Sequence, residues 1–266
     1  MPTKPQQLAW LLEFAMPTDD PPSTSRYRRV LLKLSGESFG APGKGGISIT
    51  ETQSIAQQIK RAVHNTGVQL AIVVGGGNIL RGSQFAVKGG PVPERTAHYM
   101  GMLATMMNGM TLREVLEKEG CPARLMTALR ADQVAEPYYV LRCIRHLEKG
   151  RVVILAGGTG NPFVTTDTAA AIRAREIEAQ VLFKATKVDG VYSEDPEKNP
   201  HAVLYERLTY DKAIKDGLGV IDVSALDSAA KADPPVPIIV FNFKREGNIE
   251  RAILGARVGT LICHQT

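Results

Sequence analysis

Two lysines stand where an apolar strand ends. Lys33 follows Leu31 and Leu32 and precedes Leu34-Ser35-Gly36, and Lys184 closes Val181-Leu182-Phe183 ahead of Ala185-Thr186-Lys187-Val188-Asp189-Gly190. An ammonium inside an apolar strand costs several kcal/mol, roughly, unless an anion or a carboxylate meets it. Two such lysines can neutralise a transferring phosphoryl group from two sides. Asp167, after Thr165-Thr166 and at the head of Thr168-Ala-Ala-Ala-Ile172, reads either as a helix N-cap or as the carboxylate that holds the lysines in position. Asp222, in Val220-Ile-Asp-Val, is a second acid in an apolar setting that needs a cationic partner if buried.

Glycines frame these residues. Lys33-Leu-Ser-Gly-Glu37, Val74-Gly-Gly-Gly-Asn78 and Ala156-Gly-Gly-Thr-Gly-Asn-Pro162 each fall at the carboxyl end of a predicted strand. Open α/β sheets bind ligands at that edge, where glycine lets the backbone turn sharply and present N–H groups to an anion. The common nucleotide fingerprints fail: Gly43-Lys44 is followed by Gly45 and lacks the glycine that should precede it, and Gly158-Thr-Gly160 is followed three residues later by Phe163. Arg81 beside the triple glycine reads as an exposed loop charge or a phosphate ligand, and Tyr192 as a surface ring or a base or ribose contact.

The elements that position these loops follow from periodicity. Apolar runs at 30–34, 68–74, 123–126, 152–156, 181–184, 238–241 and 260–263 predict strands. Amphipathic stretches at 50–65, within 96–119, and at 138–149, 167–177, 210–216 and 247–254 predict helices. Strands apolar on both faces imply a mainly parallel sheet covered by helices on each side, an α/β class. The methionines within 100–110 read as core or subunit-contact packing. Residues 1–26 read as a tail preceding the fold, with a partner-docking helix as the alternative, and residues 27–266 as a single domain.

The chain has 266 residues, and its 32 Lys and Arg against 27 Asp and Glu leave an excess too small and dispersed for a nucleic-acid binder. Three cysteines without CxxC spacing suggest neither a disulfide framework nor a zinc site, so a reducing cytoplasm is expected and no protein-held metal. The apolar patch at 8–16 is too short to span a bilayer, so no membrane address is expected.

Taken together and in order, Lys33-Leu-Ser-Gly-Glu37, Gly75-Gly-Gly-Asn78 to Arg81-Gly82, Met100-Gly-Met-Leu-Ala-Thr105, Gly158-Thr-Gly-Asn-Pro-Phe163 with Thr165-Thr-Asp167, and Lys184-Ala-Thr-Lys-Val-Asp-Gly190 resemble the bacterial-type UMP kinases of the amino acid kinase family. The resemblance spans residues 28–263. It implies a three-layer α/β/α sandwich of the carbamate kinase-like type and transfer of the ATP γ-phosphoryl group to UMP, with Mg2+ accompanying ATP. It further implies a role in pyrimidine nucleotide biosynthesis, a cytoplasmic homohexamer, and regulation by GTP as activator and UTP as inhibitor.

By matching positions, Lys33, Leu34, Ser35, Gly36, Gly77 and Arg81 would contact the ATP phosphates, and Thr186, Tyr192 and Asp195 would frame adenine and ribose. Gly76, His98, Thr159, Gly160, Asn161, Pro162, Phe163, Val164, Thr165 and Thr166 would hold UMP. Lys33, Asp167, Lys184 and Asp222 would form the catalytic cluster. Where the family usually carries an aspartate that binds the UMP ribose, this chain has His98, whose ring cannot accept from two hydroxyls as a carboxylate does. The connection through Asp233-Pro-Pro-Val-Pro237 is longer than usual. A nucleotide-binding regulatory protein on the same scaffold, which would lose the charge cluster, and a related small-acid kinase are the alternatives.

Overall fold

Strand β1 (Arg29–Leu34) is buried along its whole length and lies near the middle of a nine-stranded sheet. The computed structural model describes residues 25–80, 91–196 and 198–264, so Arg81 and residues 1–24 of the expected tail lie outside the described residues. The other strands are β2 (Gln69–Val74), β3 (Ala123–Thr127), β4 (Glu136–Pro137), β5 (Val152–Ala156), β6 (Val181–Thr186), β7 (Arg207–Thr209), β8 (Ile238–Asn242) and β9 (Thr260–Cys263). Their order across the sheet is β4-β3-β5-β2-β1-β6-β8-β9-β7. Every pairing is parallel except β8 with β9.

Alternation along β1 shows why both faces are covered. Val30, Leu32 and Leu34 pack on one face with Ile55 and Ile59 of α1 (Ile49–Thr66), Leu112 and Leu116 of α2 (Glu94–Lys118), and Ile249 and Ile253 of α7 (Asn248–Ile253). Leu31 packs on the other face with Cys143 and Leu147 of α3 (Val140–Glu148), Ala170, Ala171 and Ala174 of α4 (Thr166–Glu176), Ala213 of α5 (Tyr210–Lys215) and Leu226 of α6 (Val223–Ala230). Two apolar layers therefore sandwich the sheet, as strands without a polar face require. The sequence reading missed the two-residue β4, the short β7 and α6, since pieces of two to eight residues carry little periodic signal.

The methionine-rich segment divides by face: Met102 and Met106 are buried, whereas Tyr99, Leu103 and Met107 are 40%, 53% and 51% exposed. Asn108, fully buried on the inner side of α2, forms a reciprocal amide pair with Asn78. Its Nδ2 donates to Asn78 Oδ1 at 2.7 Å and to the Gly75 carbonyl at 2.7 Å, while Asn78 Nδ2 donates to Asn108 Oδ1 at 3.0 Å and to the Gly46 carbonyl at 2.9 Å. This pair ties α2 to the glycine loop after β2. Replacing Asn108 with Ala strands buried acceptors on Asn78 and Gly75 at a cost of about 2 kcal/mol. The thermal midpoint should fall by roughly 4–8 °C, which differential scanning calorimetry would read; an unchanged midpoint would show that the pair contributes nothing net.

Candidate active site

The register of β1 on β6 places Lys33 directly opposite Lys184. Both lie on the same face as Leu31 and Leu182, the face covered by α4. Asp167 is the second residue of α4, and its carboxylate lies between the two ammonium groups: Lys33 Nζ is 2.7 Å from Oδ1, and Lys184 Nζ donates to Oδ2. Lys33 and Asp167 are 8% and 9% exposed, so the cluster is almost out of water. Burial by itself would raise the Asp167 pKa, but the two ammonium groups outweigh it and hold the carboxyl below the ordinary carboxylate value. Burial lowers the Lys184 pKa below that of a free lysine; Asp167 opposes the shift and the like charge of Lys33 adds to it.

Of the two readings of Asp167, the structure supports the lysine-holding carboxylate, and the N-cap role falls to Thr165, whose hydroxyl oxygen accepts from the Thr168 amide at 3.2 Å. The same hydroxyl donates to Asp222 Oδ2, and Thr168 Oγ1 and Ser224 Oγ are hydrogen-bonded at 2.7 Å, lacing the starts of α4 and α6 together. Asp222 is only half-buried at the head of α6 and forms no ion pair among the described residues, so the burial that would have demanded a cationic partner does not arise and the Thr165 hydroxyl is its partner. It still lies close enough for its charge to favour the Lys184 ammonium.

The glycine loops interlock. A Cβ on Gly36 would stand 2.2 Å from the Gly77 nitrogen, and one on Gly76 would stand 2.8 Å from the Gly101 carbonyl oxygen, so these backbones touch and no side chain fits. Gly157 has φ 74°, and its amide donates to Thr105 Oγ1 at 2.7 Å, which fixes the third loop against α2. Leu34 points into the opposite core and its carbonyl accepts from the Gly75 amide at 2.9 Å, so its side chain is away from the lysines. Ser35 precedes a 3-10 turn, Gly36–Phe39.

Between the second and third loops and the first turns of α2 lies a cleft of about 250 Å³. Gly76, Gly77, His98, Thr159, Asn161, Val164, Thr165 and Thr166 line it, and so do Glu94 and Thr105, which sequence reasoning did not single out. Gly160, Pro162 and Phe163 belong to the same loop without lining the cleft; Phe163 has φ 65° and packs its ring edge on His98, with centroids 4.8 Å apart. Gly77 also borders a second, polar cleft of about 350 Å³ lined by Glu37, Lys44, Asn78 and Lys187, with Lys187 Nζ 2.8 Å from Glu37 Oε2. Thr186, Tyr192 and Asp195 line neither cleft. The Thr186 hydroxyl donates to the Val188 carbonyl at 2.7 Å, Tyr192 bridges to Leu204, and the exposed Asp195 is 3.3 Å from Lys198 Nζ.

Thr105 and Asn78 were legible only as members of motifs, and Asn108 was not singled out at all. Their signal is that polar side chains recur at 105 and 108 among methionines on the buried face of one helix. Arg173, nearly buried, is another: it stacks over the Tyr138 ring at 3.8 Å, pairs with Glu176 at 2.7 Å and donates to the Gly158 carbonyl at 3.4 Å, bracing the third loop from behind.

The cluster carries two positive charges against one negative in a nearly dry setting, so it favours a bound anion. No group of three or more His, Cys, Asp or Glu side chains that could cage a metal occurs among the described residues, and Asp167 is already engaged by two lysines. A Mg2+ ion needs few protein ligands when it bridges nucleotide phosphate oxygens and keeps its waters, so it fits this site as a companion of the nucleotide.

A family model for the amino acid kinase family matches residues 28–242. The chain is 50% identical over 245 residues to the chloroplastic uridylate kinase PUMPKIN of Arabidopsis thaliana, covering 92% of this chain and 70% of that protein. It is 48% identical over 237 residues to the uridylate kinase of Dichelobacter nodosus, covering 89% and 96%. Among solved structures, the UMP kinase of Bacillus anthracis superposes with a TM-score of 0.85 at 38% identity, over 90% of this chain and 97% of that one. With its helix-covered parallel sheet, its lysine cluster and these relatives, the chain belongs to the amino acid kinase family and, within it, to the uridylate kinases.

Proposed function

We propose that this chain transfers the γ-phosphoryl group of ATP to UMP, giving UDP and ADP for pyrimidine nucleotide synthesis. The observation that carries this reading is the Lys33–Asp167–Lys184 cluster, set where Thr165 and Thr166 lead from the 250 Å³ cleft into α4. UMP occupies that cleft, its phosphate toward the N-terminus of α4, where the helix dipole and free amides favour negative charge. The ATP phosphates approach along the Gly36–Gly77 contact. An oxygen of the UMP phosphate attacks the γ-phosphorus, and the bond to the β–γ bridging oxygen breaks toward ADP.

An ionised phosphate needs little help from a general base, so the protein's work is positioning and charge neutralisation. Lys33 and Lys184 reach the transferred group from two adjacent strands, and Asp167 keeps their like charges together and aimed. Asp222 orients the Thr165 cap and favours the Lys184 ammonium. Thr186, Tyr192 and Asp195 frame the adenosine after a rearrangement of the segment beyond β6, and Mg2+ enters with ATP as part of the substrate. The free cysteines, with Cys121 and Cys143 buried, suit a reducing compartment such as the cytoplasm. Activation by GTP and inhibition by UTP belong to the same proposal.

Purified protein supplied with ATP, Mg2+ and UMP should form UDP, whereas phosphorylation of acetylglutamate, aspartate or carbamate with no UDP would reject the assignment. Lys33→Met and Lys184→Met should each lower kcat by about 10²- to 10³-fold while circular dichroism shows a folded chain.

The pH dependence has a worked sign. Asp167 has a depressed pKa when folded, so its contribution to stability is complete above the ordinary carboxylate value of about 4 and is lost as pH falls below it. Lys184, also depressed, loses its proton below the ordinary lysine value of about 10.4, so kcat should fall on an alkaline limb that begins under that pH. Lys184→Arg should push that limb upward in whatever activity remains, because guanidinium stays charged. A limb that does not move would assign it to another group.

Tyr99, Leu103 and Met107 recur every four residues on the outer face of α2 and form an exposed apolar stripe that supports a subunit contact within a homohexamer. Sedimentation should find the wild type assembled and the Leu103→Glu/Met107→Glu variant in smaller species; a monomeric wild type would reject the assembly.

A further inference from the structure

Among the described residues lining the 250 Å³ cleft, Glu94 is the one carboxylate and His98 the one imidazole. Both sit at the start of α2, one helical turn apart, where a carboxylate is favoured by the helix N-terminus. The gap between Glu94 Oε1 and His98 Nε2 is 3.7 Å, too long for a hydrogen bond. Glu94 makes no hydrogen bond to a described side chain, and it is 64% exposed, so its oxygens can accept from a ligand. His98 is fixed differently: its ring meets Phe163 edge-on, at 63° between planes.

A carboxylate repels the phosphate of a nucleotide and attracts its hydroxyl groups. Thr165 and Thr166, where α4 begins beside the Lys33–Lys184 pair, also line the cleft, and that end suits phosphate. The two helix starts therefore orient an acceptor with its phosphate toward α4 and its sugar toward α2. Ionised Glu94 has two oxygens and can accept from two adjacent hydroxyls at once, and no other described residue lining the cleft is a carboxylate.

We propose that Glu94 reads the vicinal 2′,3′-diol of the acceptor's ribose, with His98, held by Phe163, as the positioning residue beside it. Glu94 thereby selects ribonucleotide over deoxyribonucleotide acceptors. The inference rests on the reading of this cleft as the UMP site.

The test compares kcat/KM for UMP and dUMP in the full-length enzyme and in Glu94→Gln, which keeps the shape and replaces one accepting oxygen with a donor. The wild type should prefer UMP, and Glu94→Gln should lower the UMP-to-dUMP ratio about tenfold, chiefly through the KM for UMP, the size expected for a hydrogen bond to a charged group. His98→Gln should lower the ratio by less. A purely structural role would weaken both acceptors alike and leave the ratio unchanged. A ratio within twofold of wild type in Glu94→Gln, or a wild type indifferent to the 2′-hydroxyl, overturns the inference while leaving UMP phosphorylation standing. No UDP from the wild type overturns the reading of the cleft and the inference with it.

Discussion

Two ammonium groups held side by side by a single carboxylate set the terms for the rest of this molecule. Lys33 and Lys184 are register partners on adjacent strands, and each would repel the other if Asp167 did not lie between them. The arrangement works only if β1 and β6 are parallel neighbours and if α4 begins over their carboxyl ends. A one-residue slip of either strand would turn its lysine into the opposite core, among Phe183 and Phe241. Removing such charges from water is costly, and the cluster retains a net positive charge after internal pairing. A phosphoryl group arriving from solvent completes it, which connects the fold's most expensive feature to its chemistry.

The backbone around the cluster is equally constrained. Three glycine loops meet on one sheet edge because strands β1, β2 and β5 are parallel and adjacent in the order β5-β2-β1. Contact between Gly36 and Gly77 leaves no room for a Cβ, and the Asn78–Asn108 amide pair and Thr105 fasten the second and third loops to α2. Buried polar groups of this sort are fully partnered or they are costly, so the loops are held rigidly by interactions that are individually modest. Preorganised amides and ammonium groups need no rearrangement as charge develops in the transition state.

Much of this was legible in the residues. The parallel sheet, the helices on both faces and the lysine-bearing strand ends follow from apolar runs punctuated by glycine, because strand burial leaves a local trace in composition. Asp167 had two readings, an N-cap or the carboxylate that holds the two lysines, and choosing between them depends on strand register and on the landing point of α4, which are non-local. Asp222 was taken to need a cation only if buried, and what the residues did not show is that it lies half-exposed at a helix start, where the Thr165 hydroxyl suffices. Asn108 and Glu94 were passed over because a polar residue on a helix carries no sign of what faces it. Thr186 and Asp195 were legible only through family resemblance and Tyr192 only as one of two readings of a loop tyrosine; the Thr186 hydroxyl and the Asp195 carboxylate are engaged locally, Tyr192 pairs through its backbone with Leu204, and none of the three lines either cleft.

The central claim is that both ammonium groups bear on the phosphoryl group in flight. A crystal structure of the protein with ADP, UMP, Mg2+ and aluminium fluoride, a mimic of that group, tests it directly. The account predicts the fluoride plane between the two nucleotides with Lys33 Nζ and Lys184 Nζ both within hydrogen-bond distance of it, and Asp167 still bridging the lysines. A fluoride bound between the nucleotides with either lysine turned away from it would contradict the account.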